Sequence, residues 1–203
     1  GYRFEGMTYA DAIGKTATNV TVIPCEHAGI PGDAEPVCPG CGLEVYASVQ
    51  DGTETFFFFD SFEAAIRCAE AHEGSVLTLC RNIELNEETA GSLLDGGYYR
   101  LTTGKYSIKL DGLTLTVVRS CLVVEGNCDL TITSYGNVNC PDSDTGAIEV
   151  RAGAHLTVEG GDFTLPLTAY GTDTLTLKGG SFQQIVSEPD IDSRKSCSPL
   201  EYL

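Results

Sequence analysis

Residues 156–163 read Leu-Thr-Val-Glu-Gly-Gly-Asp-Phe, and residues 175–182 read Leu-Thr-Leu-Lys-Gly-Gly-Ser-Phe, an offset of 19. Apolar and polar residues alternating in the first half suit a strand with one buried face. The glycine pair suits a corner. Leu130-Thr-Ile-Thr matches the first half of the unit 26 residues before Leu156, with the extra length taken up by a polar insertion, Asn137 to Gly146. Leu113-Thr-Leu-Thr reads as an earlier copy, 17 residues before Leu130. Each copy follows a short apolar strand and a turn, as in Leu122-Val-Val before Gly126-Asn127 and Ile148-Glu-Val before Ala152-Gly153.

A period of about 20 residues, built of strand and turn with no helix between, predicts a solenoid of stacked tiers. The expected fold is all-β: a parallel β-helix, right-handed by the crossover preference of parallel strands, with coils over about 75–187. Leucine-rich repeats share the period, but their Leu-x-x-Leu-x-Leu pattern is missing. A β-sandwich is the rival architecture, since Thr-rich alternating strands suit it equally.

A solenoid needs a cap, because its end exposes apolar side chains and unpaired strand edges. A helix is expected at 61–73. Asp60 can cap it and Glu63 lies three residues on; Phe62, Ala65, Ile66 and Ala69 share one face, and Gly74 follows where a helix-ending glycine belongs. Upstream, Asn19-Val-Thr-Val-Ile, Leu43 to Val49 and Thr53 to Phe59 read as strands. These readings divide the chain into 1–52 and 53–203, with a tail from 188.

Composition narrows the function. The 203 residues carry 29 acidic and 12 basic side chains, a net charge of −17, which repels nucleic-acid phosphates and anionic membranes. Cations, neutral glycans and basic partners remain compatible. No apolar run is long enough to span a bilayer. Gly1 and Leu203 read as cuts in a longer protein.

Residues 25–42, Cys-Glu-His-Ala-Gly-Ile-Pro-Gly-Asp-Ala-Glu-Pro-Val-Cys-Pro-Gly-Cys-Gly, hold three of nine cysteines and one of three histidines. Cys25, His27, Cys38 and Cys41 supply two thiolate- and imidazole-bearing pairs, a ligand set suited to tetrahedral zinc. Iron in a rubredoxin-like site is the alternative metal, and disulfides the alternative chemistry, though disulfides leave His27 without a role. Four protein ligands close the coordination sphere, so the zinc is expected to be structural, and in a ribbon of so few residues it supplies much of the folding energy.

Asn19-Val-Thr-Val-Ile-Pro-Cys-Glu-His, followed by Cys-Pro-Gly-Cys-Gly, Ser-Phe-Glu-Ala-Ala-Ile and Val-Leu-Thr-Leu, resembles the repeat unit of large tandem-repeat surface proteins of gut Gram-positive anaerobes. In that group a zinc-ribbon-like module precedes a short right-handed β-helix. The resemblance implies an extracellular, secreted or cell-surface location and neighbouring repeats as partners, and it gives architecture better than activity.

Of the other cysteines, Cys68 and Cys80 can meet, Cys121 and Cys140 lie about one coil apart, and Cys128 and Cys197 have no obvious partner; most are expected to be buried thiols. Many β-helices act on polysaccharides, so a lyase or glycoside hydrolase is the rival function. It needs converging carboxylates, for which Asp142 with Asp144 and Glu159 with Asp162 are the candidates. The favoured expectation is a non-catalytic module, a spacer or an adhesin for glycans or host surface proteins. Its expected contacts are Tyr135, Asp142, Asp144, Asp162 and Tyr170.

Overall fold

The computed structural model describes residues 2–5, 8, 22–24, 37–38, 40–59, 61–141, 148–171 and 174–188. Among these the chain is mostly β with one α-helix, and its sheets curl. Strands β1 (Tyr2–Phe4) and β2 (Val22–Pro24) pair antiparallel. β3 (Ala47–Asp51) and β4 (Glu54–Phe58) form a hairpin, so residue 52, the expected module boundary, falls in its turn. Helix α1 (Phe62–Ala71) follows.

From β5 (Ser75–Leu79) onward the strands fall into three parallel ladders of five rungs. β5 heads the first. β6 (Ile83–Leu85) heads the second, and β8 (Tyr98–Leu101), preceded by the short β7 (Leu94–Asp95), heads the third. The next tier adds β9 (Lys105–Lys109), β10 (Thr114–Val117) and β11 (Leu122–Val124) in the same order. The third tier adds β12 (Asp129–Thr133), β13 (Asn137–Asn139) and β14 (Ile148–Val150). In the fourth, β15 (His155–Val158) continues the first ladder, and the long β16 (Asp162–Tyr170) serves the second with its start and the third with its end. β17 (Leu175–Leu177) and β18 (Ser181–Glu188) repeat that arrangement. The register slips between Phe163 and Pro166, where β16 changes ladder; a proline interrupts the hydrogen bonding there by lacking a donor.

Strand period two sends one residue in two to the core, and the registers line these up. In the first ladder Ser75, Tyr106, Leu130, Leu156 and Leu175 are partners, and so are Leu77, Ile108, Ile132, Val158 and Leu177. The second aligns Ile83, Leu115, Val138, Phe163 and Phe182; the two phenyl rings stack with centroids 5.0 Å apart. The third aligns Tyr99, Leu122, Ile148, Leu167 and Ile185. Apart from the last tier these inward residues are buried in one continuous core, and each large aliphatic among them contributes roughly 1.5–3 kcal/mol by leaving water.

Here the structure corrects one alignment. Leu113-Thr-Leu-Thr is not a copy of Leu130-Thr-Ile-Thr: Leu115 belongs to the second ladder, and Tyr106-Ser-Ile-Lys is the rung beside Leu130. Alternation marks any half-buried strand, whereas register depends on which residues face each other.

Glycine is required where tiers touch. Gly126 has φ +68°, and a Cβ there would lie 2.6 Å from the Thr102 carbonyl oxygen; at Gly136, φ +145°, it would lie 2.6 Å from that of Leu113. An L side chain is strained in both places.

Helix α1 covers the first tier with Phe62, Ala65, Ile66 and Ala69, all buried. Its N-cap is Ser61, whose Oγ accepts the Ala64 N–H at 3.1 Å, in place of the expected Asp60, which lies outside the described residues. Glu63 turns to Ser92. It accepts hydrogen bonds from the Ser92 N–H and hydroxyl, which hold its carboxyl below the usual carboxylate range. Gly74, at φ +81°, ends the helix and donates to the Lys105 carbonyl at 2.6 Å.

Candidate functional site

The Cys38–Cys41 knuckle is a tight reversal. Val37 and Glu44 form an antiparallel bridge, the Cys38 N–H donates to the Leu43 carbonyl at 2.8 Å, and the Gly42 N–H returns to the Cys38 carbonyl at 2.8 Å, with Gly42 at φ +72°. Cys38 is buried with Val45 and Phe59, and Cys41 and Cys80 pack against that cluster. The turn therefore places two thiol ligands of the expected zinc set side by side. Cys25 and His27, the other two, lie outside the described residues. Among the described residues no three His, Cys, Asp or Glu side chains are grouped to hold a metal. The chemistry of the described pair fits a thiolate metal site, and these two donors alone do not complete one.

Cys80 sits beside the knuckle but turns to protein oxygens, the Ser48 hydroxyl at 4.0 Å and the Thr78 carbonyl at 3.8 Å, and burial pushes its thiol pKa up. Cys68, Cys80 and Cys128 are free thiols, so Cys68 and Cys80 are not bonded to each other. Burial raises Cys68 and pushes Cys128 up to about 12. Cys121 is held in a disulfide, and Cys140 is not its partner. His72 Nδ1 lies 2.7 Å from the Cys68 carbonyl oxygen at the end of α1, and its ring faces Phe56 at 5.4 Å. Its Nδ1 is also 3.7 Å from the Cys68 thiol. A thiol whose pKa is raised is not an activated nucleophile, so this contact finishes a helix.

The outward sides of the three ladders differ. On the third, Val123, Glu149 and Thr168 are register neighbours and only 0%, 2% and 6% exposed. Glu149 accepts from Arg151 Nη2 at 3.0 Å and Nε at 3.3 Å. Arg151 also reaches Glu125 at 2.9 Å, and Glu125 pairs with Arg100 at 2.5 Å. Both guanidinium groups lie over the Tyr98 ring, at 5.5 and 5.6 Å. Burial raises the Glu149 pKa, opposed by its bonds to Arg151. With these charges paired and the Glu149 carboxyl shut from solvent, the group ties three tiers together. Sequence inspection missed it because its members come from three tiers of unequal length.

On the second ladder the outward side is polar and solvated. Asn82, Thr114, Asn137, Asp162 and Ser181 begin successive rungs. Thr114 N–H donates to Asn82 Oδ1 at 2.9 Å, Asn137 Nδ2 lies 3.5 Å from Thr114 Oγ1, and the Ser181 hydroxyl donates to Asp162. Tyr135 stands at the corner just before Asn137, beside the middle of this row, 73% exposed, its ring close over Gly112.

Of the expected contact residues, Tyr135 and Asp162 thus share this face. Tyr170 lies at the other end of β16, on the third ladder. Asp142 and Asp144 lie outside the described residues. Glu159 pairs with Lys178 of the next tier at 3.0 Å, while Asp162 takes the Ser181 hydroxyl.

Comparison with protein-family models, with curated proteins and with solved structures returns no match.

Proposed function

We propose that the chain is a non-catalytic module of a large extracellular bacterial surface protein, a spacer or an adhesive unit. In this reading the three ladders wind as a right-handed parallel β-helix, since parallel strands joined by crossovers take that hand. The cysteine segment binds one structural zinc through Cys25, His27, Cys38 and Cys41. The observation that carries the proposal is the alignment of inward residues over five successive rungs in each ladder. Such a stack is stiff and extends by repetition, which suits holding or presenting a binding surface. The pairing of Glu149 with Arg151, and the engagement of Glu159 and Asp162 by the next tier, support the non-catalytic side. Glycans, host surface proteins and neighbouring repeats are the partners this reading names.

The test incubates the protein with pectins, mucin glycans and other polysaccharides and scores retention and newly formed reducing or unsaturated ends. Retention without turnover is the outcome expected of an adhesive unit, and neither retention nor turnover that of a spacer. Turnover that disappears in Asp162→Asn makes the chain a carbohydrate-active enzyme and sinks the proposal.

A further inference from the structure

We propose that the outward face of the second ladder, with Tyr135 at its lip, binds a neutral polysaccharide chain lying along the stack. The inference rests on the non-catalytic module reading above and assigns that module a ligand class and a place.

Two independent features mark this face. The first is its row of short amide, hydroxyl and carboxylate groups. Asn82, Thr114, Asn137, Asp162 and Ser181 repeat once per tier. Successive strands lie about 4.8 Å apart, a spacing comparable with one pyranose unit. Amides and hydroxyls both donate and accept, which matches the hydroxyl groups of a sugar.

The second feature is the corner beside the row. The Tyr135 ring lies over Gly112, where a Cβ would come within 2.8 Å of it, and it is the most exposed large hydrophobic side chain among the described residues. The next two tiers present Gly160-Gly161 and Gly179-Gly180 at the same corner. These glycines pack against the tier before: a Cβ at Gly179 would lie 2.5 Å from the Glu159 carbonyl oxygen, and one at Gly160 2.9 Å from that of Ser134. The packing explains the glycines; its consequence is a bare shelf running past an exposed aromatic ring. An aromatic face offers an apolar platform, and the C–H side of a sugar ring supplies its complement.

Charge selects among polysaccharides. The row carries no Lys or Arg, it includes Asp162, and Glu84 projects beside it. With the chain at −17, and with Lys178 beside the shelf already paired to Glu159, uronates and sulfated glycans meet net repulsion. A neutral chain meets none.

The experiment is affinity electrophoresis of the whole chain through gels holding soluble arabinoxylan, mixed-linkage β-glucan or galactomannan, with polygalacturonate and heparin as charged probes. At least one neutral polymer should retard the protein and neither charged one should. Tyr135→Ala should weaken that retardation roughly tenfold, the equivalent of about 1.4 kcal/mol, and Asn137→Ala should weaken it by less. Thr131→Ala, on the outward side of the first ladder, should leave it unchanged, with circular dichroism showing that all three variants fold. No retardation by any neutral polymer, stronger retardation by a charged one, or wild-type retardation of both Tyr135→Ala and Asn137→Ala overturns the proposal. Reducing ends are assayed in the same mixtures. Their release would sink the non-catalytic reading while leaving the binding face in place, so the two failures are distinguishable.

Discussion

The ladder stack and the cysteine knuckle are neighbours in the chain and are stabilised by different means. The stack is one continuous core, with rung after rung of Leu, Ile, Val and Phe shut from water. The knuckle rests on three buried side chains, Cys38, Val45 and Phe59, with Cys41 and Cys80 beside them. A core of that size contributes only a few kcal/mol at about 1.5–3 kcal/mol per large apolar side chain, little against the ordering of its backbone at about 1–2 kcal/mol per residue. The stack therefore stands mainly on burial, with the Cys121 disulfide added to it, while the knuckle needs either the stack beneath it or a cross-link.

The strongest way to break this contrast is to cut into the stack. Leu130 is fully buried between Tyr106 and Leu156, and Leu130→Ala should cost about 2–5 kcal/mol in a urea titration. The loss should appear in a single transition, because neighbouring tiers share the core; a local melt confined to one tier would argue against a common core.

Arg151→Met comes next. It leaves Glu149, 2% exposed, without its guanidinium partner, at a cost of about 3 kcal/mol at neutral pH. Glu149 already has a raised pKa through burial, and losing Arg151 raises it further. A carboxyl with a raised folded-state pKa contributes stability that is fully present below its unfolded value and is lost as pH rises through the folded value. The penalty of Arg151→Met should accordingly shrink as pH falls through the raised folded-state values and be gone by about pH 4.3, the ordinary glutamate value. Melts of both proteins across that range measure it.

Gly126→Ala should cost about 1–3 kcal/mol, the usual strain of a residue forced into left-handed backbone, since φ is +68° and the Thr102 oxygen is 2.6 Å from the new Cβ. Ser61→Ala removes the N-cap of α1 and should cost about 1 kcal/mol. If the cap helix seals the first tier, hydrogen exchange should quicken in β5 and not in β15. The smallest effect on the stack belongs to metal removal: a chelator should loosen the region around Cys38 and Cys41 while the urea midpoint of the stack stays put. Elemental analysis showing no bound metal, with Cys38 or Cys41 oxidised, would falsify the zinc assignment.

Period and alternation made part of this legible from residues alone. Leu156 and Leu175 were aligned by their Gly-Gly corners and are true register partners. The buried face of α1 follows the helical spacing of Phe62, Ala65, Ile66 and Ala69. Leu113 went astray because tiers differ in length, so the similar runs Leu113-Thr-Leu-Thr and Leu130-Thr-Ile-Thr fall on two different ladders. The Arg100–Glu125–Arg151–Glu149 group left no local trace for the same reason. At the candidate face, Tyr135 was picked out as an expected aromatic contact and Asp162 as a candidate carboxylate, but the row beside Tyr135 that includes Asp162 exists only once the tiers are stacked. Of the cysteine site, the Cys-Pro-Gly-Cys-Gly turn was readable from its Pro and Gly, and the knuckle is there.

One end of the stack lies under α1 and the β3–β4 hairpin, while at the other β17 is the terminal strand of its sheet and Leu177 and Ile185 remain 39% and 44% exposed. The covered end comes first in the chain. A nascent polypeptide can therefore close its lid and first tier before later rungs exist, and each new rung then finds a finished edge to template it. Assembly becomes vectorial, like courses of brick laid on a footing, and few contacts need wait for residues not yet made.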